Sequence, residues 1–259
     1  MARNRRSMTA PAPDLSVVIP AFNEERRLAR TLPQVFAYLV ARGLRGEVIV
    51  VDDGSTDATA QLVRQLAARF PELRLLSNPG NRGKGYSVRA GMLAATGRLA
   101  LFTDADLSAP IEEADKLLAA LVDYDVAIGS RAVDRSLILR HQPWWRKRAG
   151  IAFNWATKLL SGVPFHDTQC GFKAFRREPA RILFVQQRIE RFGFDPEILF
   201  LALRHGLRVI EVPVRWSHDP DSRVHVIRDG LRMVVDLLCI RIHAFLGHYP
   251  RVEQGPGRH

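Results

Sequence analysis

Cysteine is scarce in this chain: two in 259 residues, Cys170 and Cys239, far apart and in no metal-ligand spacing. That excludes a disulfide framework and a cysteine-based zinc site, and it fits a reducing compartment. Long apolar runs are missing as well. No stretch reaches the roughly 18 to 20 uncharged apolar residues that a helix needs to cross a bilayer, and the basic start, Met1 to Arg6, leads into no apolar signal core. The expectation is a protein that does not span a membrane. Acidic residues are the scarcer charge, 27 Asp and Glu against 38 Lys and Arg, which leaves a formal net charge of +11. Such a surplus points to an anionic partner: nucleic acid, phosphorylated small molecules or lipid headgroups. Apolar residues, by contrast, make up 47% of the chain, enough for a packed core, so disorder across the whole is excluded.

Residues 1–13, with Arg3, Arg5, Arg6, Pro11 and Pro13, read as a disordered basic arm. Residues 14–246 read as one domain, and 247–259, with Pro250, Gly255 and Pro256, as a disordered tail. Strands are expected at Leu15–Pro20, Glu47–Val51, Leu73–Ser77, Arg98–Thr103 and Val126–Gly129. Helices fit at Glu24–Val40, Asp57–Phe70, Gly85–Ala95 and Ile111–Val122. Short, continuous apolar strands such as VIVV, separated by helix-length segments, predict a mostly parallel, doubly wound α/β sheet flanked by helices. Beyond Arg131 the alternation loosens into a helix (Trp144–Leu160), a loop region, a helix (Asp195–His205), a strand (Leu207–Trp216) and a final helix (Val224–Phe245).

Ligands of such sheets sit at the carboxyl ends of the strands, so the polar residues directly after apolar strands are the ones that matter. The first strand ends in Pro20-Ala21-Phe22-Asn23-Glu24, which helix capping explains equally well. The second ends in Asp52-Asp53-Gly54-Ser55-Thr56-Asp57; two adjacent carboxylates can meet a ribose and a base edge, whereas a capped turn accounts only for Asp57. The third loop, Asn81-Arg82-Gly83-Lys84-Gly85, places a lysine between glycines at a helix start, an arrangement suited to phosphate, though it is neither a P-loop nor a G-x-G-x-x-G. The fourth is Asp104-Ala105-Asp106. Of three D-x-D patterns it alone directly follows an apolar strand, where two carboxylates can hold a hard cation and leave positions for diphosphate oxygens and water.

These loops, together with GSR at 129–131, DTQCGFKAF at 167–175 and FDPEIL at 194–199, resemble the inverting family 2 glycosyltransferases of GT-A fold, most closely the dolichyl-phosphate β-glucosyltransferase and polyprenyl-phosphate hexose synthase group. The resemblance covers about residues 15–243. It implies a single GT-A domain in which Pro20, Ala21, Asn23, Glu24, Asp52, Asp53, Gly54, Lys84 and Asp104 face a nucleotide sugar, UDP-glucose ahead of GDP-mannose. Asp104 and Asp106, with Gln169 near the same centre, would hold Mg2+ or Mn2+.

A metal on the diphosphate stabilises the departing charge most in the transition state, which gives Asp106 a catalytic part. A polyprenyl-phosphate acceptor, whose second pKa lies near about 6, is already a competent nucleophile and needs cations to hold it. Arg131, Arg215, Ser222 and Arg223 are the candidates. A sugar-hydroxyl acceptor would instead need a base, for which Asp167 is the natural choice, though Asp167 could equally orient Lys173 or a neighbouring arginine. Trp144-Trp145-Arg146-Lys147-Arg148 opens a helix with Ile151, Trp155 and Leu159 on one stripe, suited either to an anionic membrane surface or to the core. The final helix, through Ile227, Leu231, Val234, Leu238 and Ile242, is expected to pack on the domain. Nucleic acid is not an expected partner, because the carboxylates sit where it would be repelled and no binding module is visible. The expected location is the cytoplasmic face of a membrane, peripherally attached.

Overall fold

The first strand, β1 (Leu15–Ala21, LSVVIPA), shows how the molecule is layered: Val17 and Ile19 enter one apolar cluster and Val18 the other, so both faces of the strand are covered. A computed structural model of the protein describes residues 12–140, 144–218 and 226–250; the side chains at 140, 144–147, 149, 152, 153 and 226–229 are not described. Helix α1 (Glu25–Ala41) turns Leu28, Leu32, Val35, Phe36 and Leu39 inward at helical spacing. There follow β2 (Gly46–Asp52), α2 (Thr59–Ala67), β3 (Leu73–Ser77), α3 (Lys84–Ala94) and β4 (Leu99–Thr103). After a single 3-10 turn at Ile111–Glu113 come α4 (Ala114–Ala120) and β5 (Val126–Ser130).

The second half contains β6 (Ile138–Arg140), α5 (Trp144–Ser161), β7 (Phe172–Arg176), α6 (Arg177–Gln186), α7 (Phe194–Arg204), β8 (Val209–Pro213), β9 (Trp216–Ser217) and α8 (Val226–Phe245). Seven strands form one sheet in the order β3-β2-β1-β4-β7-β5-β8, parallel except for β7, which runs antiparallel between β4 and β5. β6 and β9 form a separate two-stranded ribbon. The architecture is therefore the mostly parallel α/β sheet expected, a GT-A-like domain.

Four details differ from the sequence reading. The supposed loop region contains β7 and α6. The expected strand Leu207–Trp216 is two strands, broken after Pro213, which lacks the N–H to continue a ladder. The tail does not begin at 247: Tyr249 is fully buried and donates its hydroxyl to Glu197, 2.6 Å away, so the domain extends to Pro250. Finally, α8 buries Leu237 and Ile240, while Leu231, Leu238 and Ile242 are exposed, so the stripe expected to pack on the domain faces outward. Ile227 lies outside the described side chains.

Candidate active site

The loops after β1, β2 and β3 are stitched together by main-chain N–H groups. Asn23, in the left-handed region at φ 56°, accepts from the Thr56 amide at 2.7 Å, and its own amide donates to Ser55 Oγ. Asp52 accepts from the Ser55 amide at 3.1 Å. Both oxygens of Asp53 are engaged: Oδ1 takes the Arg82 amide at 2.9 Å and Asn78 Nδ2 at 2.8 Å, and Oδ2 takes the Gly83 amide at 2.7 Å. Pro20 and Ala21 close β1, where the Ala21 carbonyl accepts from the Asp53 amide. Gly54 has φ 75° and approaches Gly80 so closely that a Cβ would come within 2.7 Å of its carbonyl carbon. A capped turn was expected to leave Asp52 and Asp53 unexplained; in fact the Asp52 carboxylate holds its own turn through Ser55, and the Asp53 carboxylate organises the phosphate-type loop through Arg82 and Gly83. Glu24 pairs with Arg27 at 2.9 Å.

After β4, the Ala105 carbonyl is held by the Thr31 hydroxyl of α1 at 2.6 Å, and Leu107 adopts φ 47°, a costly conformation for a branched side chain. This turn sets Asp104 and Asp106 apart. Asp106 accepts from the Ser108 amide; burial, and then the neighbouring Asp104, push its carboxyl up from its usual value. Asp104 receives Lys84 Nζ at 2.6 Å, so the lysine expected at phosphate sits on the expected metal ligand. Burial pulls the Lys84 ammonium down, but Asp104 and Asp195 outweigh it and hold the pKa above its usual value. Gly171 lies against Asp104 so tightly that a Cβ would stand 2.2 Å from Oδ2. A cleft beside Asp104 is lined by Thr103, Ser108, Cys170, Phe172 and Trp216 among others. Among the described residues no group of three His, Cys, Asp or Glu gathers around a common point.

Next to Trp216 of this cleft, Arg131 and Asp167 form a two-pronged pair, Nε to Oδ2 and Nη2 to Oδ1, both 2.7 Å, and the Arg131 amide donates to the same carboxylate. Burial raises the Asp167 carboxyl, but the guanidinium more than offsets this and holds it below the usual range. Of the two parts expected of Asp167, base or partner of a neighbouring arginine, this geometry is that of the partner. The Arg131 guanidinium lies over the Trp216 ring at 5.3 Å. Gln169 donates its amide N–H to Asp167, while its side-chain Nε2 is buried without a hydrogen bond among the described residues. Arg215 does not join Arg131: its guanidinium and its amide both bond Glu113, which also holds Lys116. Ser222 and Arg223 lie outside the described residues.

Sequence reasoning considered Lys173 only as a possible partner of Asp167, and its partner is another carboxylate. Lys173, fully buried in β7, donates to Asp195 of α7 at 2.5 Å and to the Cys170 carbonyl at 2.6 Å, with Phe102 under its ammonium. Asp195 in turn acts on Lys84, so charges of alternating sign run from Lys173 to Asp104. The available signal was a lysine flanked by Phe172, Ala174 and Phe175, since a lysine in such a run is buried only with a partner.

Similarity to known proteins agrees with this geometry. The sequence profile of "Glycosyl transferase family 2" matches residues 16–184. A protein of Trichomonas vaginalis named dolichyl-phosphate beta-glucosyltransferase is 38% identical over 237 residues, 87% of this chain and 70% of that one. Among solved structures, glucosyl-3-phosphoglycerate synthase from Mycobacterium tuberculosis, in complex with Mn2+, uridine diphosphate and its glucosyl product, superposes with a TM-score of 0.59 at 20% identity, covering 95% of this chain and 83% of the other. A mannosyltransferase from Pyrobaculum calidifontis, in complex with GDP-Man and Mn2+, gives a TM-score of 0.56 at 20% identity over 92% of this chain and 72% of its own. At that identity the two structures speak for the fold alone. On the family profile and the curated relative together, the chain belongs to glycosyl transferase family 2 and is a glycosyltransferase.

Proposed function

We propose that this glycosyltransferase moves glucose, with inversion, from UDP-glucose to a polyprenyl phosphate of the dolichyl kind, using Mg2+ or Mn2+. The observation that carries the reading is the Arg131–Asp167 pair: the carboxylate expected as base is tied down by two hydrogen bonds of 2.7 Å, and its arginine lies over Trp216, which lines the cleft. A carboxylate so tied suits an acceptor that is already anionic. A sugar hydroxyl would need Asp167 released. The name of the Trichomonas vaginalis relative supports the same acceptor, and the solved neighbours support a nucleotide sugar, with GDP-mannose the second choice of donor.

Asp104 and Asp106 fit a divalent cation, because Mg2+ and its like take one or two carboxylates and keep the remaining positions for phosphate oxygens and water; the side-chain atom of Gln169 left unpaired among the described residues is Nε2, a donor that suits an acceptor oxygen and not the ion. Bound there, the ion neutralises charge on the departing diphosphate. Lys84, at the start of α3 beside the backbone of Gly83 and Gly85, brings a further cation to the same oxygens. Pro20, Ala21, Asn23, Glu24, Asp52, Asp53 and Gly54 shape the wall on which the nucleoside rests. Arg131 orients the acceptor phosphate at the opposite wall. The scarcity of cysteine and the absence, among the described residues, of a helix long and apolar enough to cross a membrane are compatible with peripheral attachment at a cytoplasmic face.

A panel of labelled sugar nucleotides, each offered a short polyprenyl phosphate with Mn2+ or with EDTA, tests the reading. A lipid-extractable product from UDP-glucose alone, absent in EDTA, is expected. Transfer only to sugar hydroxyls, or undiminished transfer in EDTA, overturns it.

A further inference from the structure

Helices α5 and α8 lie side by side, joined where Arg241 Nε of α8 donates to the Leu160 carbonyl of α5 at 2.8 Å. Each buries one side: Thr157 and Ser161 on α5, Leu237 and Ile240 on α8. Each also turns large apolar side chains out. On α5 the stripe Ile151, Trp155, Leu159 is open, with Trp155 71% and Leu159 72% exposed. On α8 Leu231, Leu238 and Ile242 repeat at steps of four and seven, and Phe245, three further on, is 91% exposed. Single exposed apolar residues are ordinary; two adjacent helices that both do this make a surface that water alone does not explain.

We infer that the outer face of the α5–α8 pair docks on an anionic lipid bilayer and delivers the site to its acceptor, an inference that rests on the lipid-phosphate reading above. Charge selects a bilayer over a second copy of the chain. The sequence of α5 holds Arg146, Lys147, Arg148 and Lys158 and no carboxylate. The sequence of α8 holds Arg228, Arg232 and Arg241 against Asp229 and Asp236; Arg232 is exposed, Arg241 turns its Nε to Leu160, and Asp236 is drawn in against Gly193. Pairing two such faces about a twofold axis would set cation against cation, whereas a layer of anionic headgroups over acyl chains satisfies both the arginines and the tryptophan.

Position completes the argument. The segment before α5 carries Arg131 and β6; the segment after it carries Asp167, Gln169 and Gly171. The helix is thus bounded at both ends by stretches that build the acceptor wall. The partner strand of β6 is β9, where Trp216 lies under Arg131.

The test is cosedimentation of the full chain, without donor, with phosphatidylcholine vesicles that contain or lack phosphatidylglycerol. The wild type is expected to bind the anionic vesicles, less so at high salt, and the triple variant Trp155→Ser, Leu159→Ser, Phe245→Ser to bind at least about tenfold more weakly. Circular dichroism and transfer to a short, detergent-free polyprenyl phosphate are expected to be unchanged in the variant, because all three side chains are exposed and none lines the cleft. Failure of the wild type to bind vesicles, equal binding by the variant, or a stable dimer in solution that the three substitutions dissociate would overturn the docking inference. Failure of transfer to every phosphate acceptor, with vesicle binding intact, would count against the substrate reading instead.

Discussion

The two halves of the site satisfy their carboxylates in different ways. In the half built from β1 to β4, Asp52, Asp53 and Asp106 accept backbone N–H groups of nearby or facing loops. In the half after Arg131, carboxylates meet side-chain cations: Asp167 with Arg131 and Asp195 with Lys173. Main-chain donors fix a loop's shape without adding a cation to the cleft, so the nucleotide wall is preorganised and keeps the negative charge of its carboxylates. Ion pairs set a cation at a chosen point but depend on both partners. The seam between the halves is Lys84–Asp104, where an ion pair holds a residue of the first half and Gly171 of the second closes over it.

The seam is where the largest effects belong. Asp104→Asn is expected to lower kcat for transfer about a thousandfold and to weaken Mn2+ binding measured calorimetrically, while the thermal transition moves little. A variant with near-normal turnover would remove the seam from the mechanism. Gly171→Ala keeps every charge and adds one methyl group 2.2 Å from Asp104 Oδ2, so the carboxylate must shift. Displacements of this size at a reacting centre cost about a hundredfold, and kcat is expected to fall by that order with the fold intact by circular dichroism.

The same contrast explains what could be read from the residues. β1 and β2 are continuous apolar runs ending in polar loops, so the strands, the parallel sheet and the candidate loops are all local patterns. β7 is not: Lys173 interrupts its apolar run, and the residue that permits its burial, Asp195, comes 22 positions later. α6 follows at Arg177 with no turn residue to announce it. Asp53 looked like a ligand because its partners are amides of Arg82 and Gly83, which side-chain patterns do not display. On α8 apolar residues occupy both sides, Leu237 and Ile240 within, Leu238 and Ile242 without, so periodicity alone could not choose the buried face. The committed state of Asp167 is likewise a tertiary fact, set by an arginine 36 residues before it.

Stability measurements sharpen the comparison at intermediate size. Lys173→Met strands Asp195 as a buried, uncompensated charge and is expected to cost about 3 to 5 kcal/mol in urea denaturation. Adding Asp195→Leu should recover most of that, because a well-packed apolar pair replaces a desolvated ionic one. Asp53→Asn leaves the loop amides with a neutral acceptor and should cost about 1 to 3 kcal/mol, with no second-site rescue of this kind. Equal costs for the two single changes would erase the distinction between the halves.

The smallest effect separates pairing from burial. Asp14 lies at the opposite end of β1, in the first half, yet it is satisfied as in the second: Arg45 binds it through its guanidinium and amide, and Arg98 reaches it at 3.2 Å. The hydrogen bonds from Arg45 hold its carboxyl down at about 2, against an ordinary 3.8. A carboxyl depressed by folding contributes stability that is present above its unfolded value and disappears as pH falls through the folded one, so this contribution should fade between about 4 and about 2. NMR titration of the side-chain carbon is expected to report the low value directly. Asp14→Asn should nonetheless leave the urea midpoint almost unchanged at pH 7, since water and salt screen a pair whose arginines are largely exposed. A loss comparable to that of Lys173→Met would mean that pairing itself, and not removal from water, gives the ion pairs of the second half their weight.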